Sequence, residues 1–310
     1  MAHELYEQNT DLALALAVAE QAEHRVFVDV GAEKGTFSQA LMNRGFHGTL
    51  LEPYPAHHAG LEALVRDTQS RVLPFAVAEA DGESQLHIAV DAAGVPMDYF
   101  HSLHRDEANP HARHAQSIPV RCRSLGSMVK EGLLEPDVGV LKIDTEGTDL
   151  KVIQGMGELV AEVLICEFVT PVLYPTWTSS FPEALVQAAM ARGYEECVAV
   201  KRFGPHEVVT FGPQAFVDGQ WGNLIFTSTS LLKKAYPVLQ KVTAGCEAAL
   251  VASCTQYRTD VEQKEAVIQE LAVACRERLA VIENLTREGE AQRAREAELR
   301  KMAANLGPNL

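Results

Sequence analysis

The sequence lacks the features that mark several common protein classes. Its six cysteines, Cys122, Cys166, Cys197, Cys246, Cys254 and Cys275, include no CxxC pair. Reduced, packed thiols are therefore expected, not a disulfide framework or a zinc site. Positive charge is scarce: 27 Lys and Arg stand against 42 Asp and Glu, a net charge of −15. Neutralising phosphates needs a basic surface, so nucleic-acid binding is not expected. No apolar run is long enough to span a membrane. The stretch from Leu12 to Val18 is short and Ala-rich, and the acidic residues before it do not read as a signal peptide. The expectation is a cytoplasmic protein with no transmembrane segment. With 47% hydrophobic and 22% charged residues, a disordered chain is excluded.

The charge that is present is unevenly placed. Residues 231–310 carry 12 basic and 11 acidic residues, whereas residues 1–230 carry 15 and 31. The first part alternates strand and helix patterns. A helix capped at Asn9-Thr10-Asp11 is predicted over 12–22. Strands follow at 25–30, 48–52, 71–78, 84–90, 138–143 and 163–168, with a last pair at 195–201 and 223–228. Helices are predicted over 36–43, 56–67, 148–156 and 182–192, and residues 91–117 read as a polar, His-rich loop. This alternation implies an α/β fold with a mostly parallel sheet, whose ligands sit beyond the carboxyl ends of the strands. The expected organisation is an N-terminal helix over 1–24 packing on the domain, an α/β domain over 25–230 and a helical tail over 231–310.

In the tail, apolar residues recur at steps of four and three: Leu250, Cys254, Tyr257, Val261, then Ile268, Leu271, Cys275, then Ile282 and Leu285. That is coiled-coil spacing, interrupted at Lys264 and Arg278. A homo-oligomer, a dimer first, is expected through residues 235–303. The two basic seam residues also allow a hetero-partner with acids opposite them.

Three segments carry chemistry. In Val26–Ser38 a buried strand delivers Asp29 to a loop with Gly31 and Gly35, where the backbone can approach a ligand closely and a helix begins with free N–H groups. The third glycine of GxGxxG is missing, which weakens a nicotinamide-diphosphate reading. Glu52 ends the second strand, where an acid can accept two hydrogen bonds from a ribose diol. Lys142–Gly155 places Asp144 and Glu146 where another strand leaves the same sheet edge. Such an acidic pair is costly to bury unless it holds a cationic cofactor, a metal or a hydroxyl proton.

Together, Asp29–Ser38, Leu51-Glu52-Pro53 and Lys142–Gly155 resemble the FkbM family of S-adenosylmethionine-dependent methyltransferases, with "DVGANxGxFS" and "KIDVEGxExxVLxG" as its patterns. Phe75–Glu83 and Asn223–Phe226 resemble its third-strand turn and last strand, so the resemblance covers roughly residues 25–228. It implies a Rossmann-like class I methyltransferase with a mostly parallel seven-stranded sheet and S-adenosyl-L-methionine as cofactor. Asp29, Gly31 and Gly35 would line the methionine part, Glu52 would hold the ribose, and Glu79 would approach the adenine. Asp144 and Glu146 would face the sulfonium and the acceptor. The implied acceptor is a hydroxyl of a sugar or a polyketide-type natural product, and the tail would place the enzyme in an assembly that modifies cell-surface polysaccharide.

Methyl transfer to oxygen needs removal of a proton. The candidate bases are Asp144, His104 and Glu167, with His101 beside them. The spacing of His101, His104, His111 and His114 also admits a metal, and a polar loop rich in His is the plainer reading. Tyr174 and Trp177 either wall the acceptor site or pack on the domain. The sequence departs from the family at Glu33 (usually Asn), Asp149 (usually Glu), His101-Ser102 (often paired serines) and Gly126 (usually Asp). Glu33 favours the competing reading, a scaffold with a degenerate methyltransferase domain.

Overall fold

The computed structural model describes residues 10–97, 99–105, 113–203, 206–212, 216–242, 244 and 295. Met1–Leu250 form one compact unit and Val251–Leu310 a second. The coiled-coil seam, His111 and the helix-capping Asn9 lie outside the described residues.

Helix α1 (Thr10–Ala19) is buried along Ala13–Ala19. It leads into β1 (Val26–Val30), whose last four residues are buried. Helix α2 (Thr36–Met42), β2 (His47–Leu51), α3 (Pro55–Val65) and β3 (Arg71–Leu73) follow. After β3 the chain leaves the main sheet. The strand expected over 71–78 is cut at Pro74, which has no N–H to give a ladder. Its second half, β4 (Ala76–Val77), pairs elsewhere, in a three-stranded sheet with β5 (Gly82–Val90) and β6 (Arg113–Arg123), in the order β4-β6-β5. Strand β6 begins in the span read as loop, over Arg113–Ser117, and no element is predicted over its remainder. Its outer half is exposed and it contains Pro119, so no burial alternation marks it in sequence.

The chain then returns to the main sheet. Helix α4 (Leu125–Lys130), capped by the Ser124 side chain, precedes β7 (Asp137–Ile143), α5 (Asp149–Gln154), β8 (Val160–Val169), α6 (Pro182–Ala191), β9 (Glu196–Phe203), β10 (His206–Phe211) and β11 (Trp221–Thr227). The main sheet has the order β10-β9-β11-β8-β7-β1-β2-β3. It holds eight strands, not seven, because β10 adds an antiparallel hairpin partner to β9. β8-β7-β1-β2-β3 are parallel, while β11 runs antiparallel to both β8 and β9.

Strand alternation divides the core between the two faces of this sheet. Val28, Val30, Leu141 and Ile143 pack on one side, together with residues of α4, α5 and α6. Phe27, Leu50, Val140 and Val163 pack on the other with α1, α2 and α3. A last helix, over 229–242, joins this second layer through Leu231, Ala235 and Leu239 at i, i+4, i+8 spacing, all three buried. The α/β domain therefore continues past residue 230, where the sequence led us to expect a separate tail.

The strand order fixes where a ligand can sit. β1 has β2 on one side and β7 on the other. The chain moves outward through β2 and β3, then crosses back to β7. Such a reversal opens a crevice at the carboxyl ends of the two central strands, here at Gly31 and Asp144.

Candidate functional site

The crevice is closely packed. Gly31 N donates to Leu51 O at 2.9 Å and Asp144 N to Val30 O at 3.0 Å. Gly31 has φ +76, and a Cβ there would lie 1.9 Å from the Asp144 carbonyl oxygen. Glycine is demanded twice, by handedness and by contact.

Beneath the loop lies an ionic core. Asp29 is fully buried and accepts from Ser38 Oγ at 2.6 Å. Directly across the ladder from it is Lys142, whose Nζ sits 3.5 Å from Asp29 Oδ1 and 3.1 Å from Asp144 Oδ2. It also donates to Gly31 O at 3.4 Å. Burial works against the Lys142 charge, but Asp144 and Asp29 outweigh it and raise its pKa. Burial raises Asp29, against the pull of Lys142 and Ser38. We did not single out Lys142 from the sequence. The signal was its i, i+2 relation to Asp144, which puts both side chains on one face of β7.

Glu52, just past β2, is buried. Its Oε2 accepts from Glu33 N at 2.8 Å and its Oε1 from Tyr54 N at 2.8 Å. Two backbone donors thus fix the carboxylate while each oxygen keeps a lone pair for a ligand. Behind it His57 is buried, with Nδ1 3.8 Å from Glu52 Oε1 and, among the described residues, no hydrogen bond to either ring nitrogen.

These groups open on a cleft with about 650 Å³ of free space that includes open solvent. Gly31, Glu52 and Asp144 line it at the sheet edge, Phe75, Val77 and Leu86 at the small sheet, Glu146 on the loop after β7, and Phe100 and His101 on a covering segment. That segment is tied down at Ser102, which bridges to His87 of β5 and donates to Glu146 O at 2.6 Å. Glu146 stands at φ +53, and its Oε1 accepts from Phe100 N at 3.2 Å. Burial, reinforced by Asp144, pushes its carboxyl up to about 8. His101 Nδ1 accepts from Ala89 N at 3.0 Å, so its proton sits on the buried Nε2. Burial and neighbouring His57 lower its pKa to about 4, so the ring is a neutral donor and cannot act as a base at Nε2.

A second cleft, with about 750 Å³ of free space that includes open solvent, is lined by Asp11, Leu12, Phe37, Lys142, Ile165 and Asn223, among others. It shares Gly31, Glu33 and Asp144 with the first.

The remaining candidates fall elsewhere. Glu79 and His104 line a third cleft with Lys151, whose Nζ is 3.8 Å from Glu79 Oε1. Neither lines the two clefts that meet at Asp144. Glu167, on β8, lines none of the three clefts. Burial and then Asp144, Glu146 and Asp149 hold its carboxyl well above the usual range. Tyr174 and Trp177 stack at 4.5 Å and are buried with Val169, and Trp177 presses on Gly147, whose Cβ would lie 3.0 Å from its ring. They line none of the three clefts described. Asp149 is structural too. Its Oδ2 accepts from Ser180 Oγ at 2.8 Å and Thr145 Oγ1 at 3.1 Å, and burial and Asp144 push it up to about 7. Among the described residues no group of three or more His, Cys, Asp or Glu is placed to hold a metal ion, and no helix is long and apolar enough to cross a membrane.

A mostly parallel sheet with a glycine loop and an acidic strand end at its reversal point is a Rossmann-like arrangement. The chain belongs to the FkbM methyltransferase family: the family model described as "Methyltransferase FkbM domain" matches residues 29–195, more than half of the chain. No curated protein matches it in sequence. Among solved structures, it is similar to an O-methyltransferase from Bacillus cereus in complex with SAH, at 11% identity and TM-score 0.39 over 71% of this chain and 80% of that one. It is also similar to a putative RNA methyltransferase from Pyrococcus horikoshii, at 10% identity and TM-score 0.35 over 71% and 83%. A third is a precorrin 8w decarboxylase from Methanobacterium thermoautotrophicum, at 10% identity and TM-score 0.35 over 70% and 89%. These likenesses are distant, and the assignment rests on the family model.

Proposed function

We propose that the protein is an S-adenosylmethionine-dependent O-methyltransferase whose cofactor occupies the cleft between Gly31, Glu52 and Asp144. The observation that carries this reading is Glu52, a buried carboxylate fixed by two backbone donors at the end of β2, with acceptor capacity left for a diol. The close Gly31–Asp144 approach, which any Cβ would fill, fits the same group. When bound, S-adenosylmethionine supplies a methyl group made electrophilic by a sulfonium. Gly31 and Gly35 let the chain approach it, Glu52 orients the ribose, and Asp29 acts through Lys142 to hold Asp144 in place. Phe75 and Val77 offer apolar contact to the adenine. Asp144, common to both clefts and partly exposed, is the group suited to accept the proton of an acceptor hydroxyl. Glu33, the feature that favoured a scaffold, is exposed, so water screens its charge from the cofactor carboxylate.

The proposed acceptor is a hydroxyl of a sugar, a polysaccharide or a natural product, in a cytoplasmic enzyme that self-associates through its tail. Replacing a charged acceptor that holds a diol costs on the order of 1.5–3 kcal/mol. Calorimetry with S-adenosylmethionine on Glu52→Ala should therefore show binding at least about tenfold weaker with the fold intact. Unchanged affinity would remove Glu52 from the site.

A further inference from the structure

We infer that the second cleft, beside helix α1, holds the methyl acceptor, and that this acceptor is an uncharged or amine-bearing polyhydroxylated molecule, not a carboxylate or phosphate. The inference rests on the cofactor occupying the Glu52 cleft. Methyl transfer requires the two reactants to meet from opposite sides of one point. The two clefts meet at Gly31, Glu33 and Asp144.

The chemistry of the second cleft sets the ligand class. Asp11 Oδ2 accepts from Asn223 Nδ2 at 2.7 Å and pairs with Arg202 at 2.5 Å. Its Oδ1 is buried with no donor among the described residues. A ligand hydroxyl or ammonium would supply that donor, and a carboxylate or phosphate could not. The surrounding charge points the same way. Asp11 and Asp144 line the cleft against one lining cation, Lys142, which is already shared with Asp29. Arg202 behind Asp11 is shared with Glu207 at 2.9 Å. An anion would enter an excess of negative charge. Leu12, Phe37 and Ile165 add apolar surface suited to the C–H face of a ring. Asp11, Arg202 and Asn223 all lie outside residues 29–195. Of these, Asp11 lies before both the family match and the wider resemblance, so an acceptor preference particular to this chain can reside there.

The test follows methyl transfer from S-adenosylmethionine by mass spectrometry, using the full chain and three probes: a methyl hexopyranoside, a methyl 2-amino-2-deoxyhexopyranoside and a methyl hexuronide. Wild type should methylate the first two and be at least about tenfold slower on the hexuronide. Asp11→Asn keeps an oxygen toward Arg202 and Asn223 but removes the charge. It should cut kcat/KM on the neutral and amine probes by about tenfold or more, while calorimetry shows S-adenosylhomocysteine affinity within about twofold of wild type. If Asp11→Asn does not fold, Asn223→Ala, which leaves the Arg202 pair in place, carries the same expectation. Equal rates on the hexuronide would overturn the inference. So would cofactor affinity falling in step with turnover, or a wild type that binds S-adenosylhomocysteine yet methylates none of the three probes. A wild type that binds no S-adenosylhomocysteine would instead overturn the cofactor reading beneath it.

Discussion

Lys142→Met tests the ionic core that the site is built on. The substitution keeps an unbranched side chain of similar reach and removes the charge between Asp29 and Asp144. Asp144 is 37% exposed and can turn to water, whereas Asp29 is 1% exposed and keeps only the Ser38 hydroxyl. Removing one partner of a buried pair costs about 3–5 kcal/mol, and with Asp144 partly solvated the lower end applies. The loss depends on pH. Without Lys142 the Asp29 pKa rises further above its unfolded value, so the native state holds a proton that the unfolded state has released. Stability then falls as pH rises from about 4, by about 1.4 kcal/mol per pH unit until the folded pKa is passed. Urea unfolding at pH 5 and pH 8 reads this directly, and Lys142→Met should lose more stability at pH 8. Adding Asp29→Asn should restore much of it at pH 8 and remove the pH slope. A loss under 1 kcal/mol, or one indifferent to pH and to Asp29→Asn, would refute the coupling.

Gly31→Ala forces a side chain into a left-handed position and onto the Asp144 carbonyl, so thermal unfolding should show a loss of at least about 2 kcal/mol. An unchanged melting temperature would contradict it. Asp149, fully buried with its carboxyl raised to about 7, binds a proton in the native state that the unfolded chain releases near 4. Its contribution to stability therefore declines as pH rises from about 4 to about 7. Asp149→Asn should flatten that decline in unfolding curves across this window, and a slope equal to wild type would refute the assignment.

Much of this site was legible in the sequence because its parts are local. Asp29, Gly31 and Gly35 lie in one strand–loop–helix unit, and Asp144 and Glu146 in another. A strand followed by glycine states both where the chain turns and which side chains reach the edge. What escaped was set by distance along the chain or by exposure. Asp11 and Asn223 are 212 residues apart and meet only because β11 lies beside β8 under α1. Glu79, His104 and Glu167 share the composition of a catalytic site, but the first two are drawn to another cleft by the small sheet, and the third lines none of the three clefts and is held well above the usual carboxyl range by burial and then by neighbouring acids. β6 and β10 were missed because one is largely exposed and interrupted by Pro119, and the other is a sheet-edge strand that pairs only with β9. The seven-strand expectation failed at that edge, where no second neighbour enforces an alternating pattern.

A crystal structure of the full-length protein with S-adenosylhomocysteine tests the central claim most directly. The account predicts the ribose hydroxyls on Glu52 and the sulfur facing Asp144, with the cleft beside Asp11 left clear. A ligand seated beside Asp11 and Asn223, or a Glu52 carboxylate that makes no contact with it, would contradict the account.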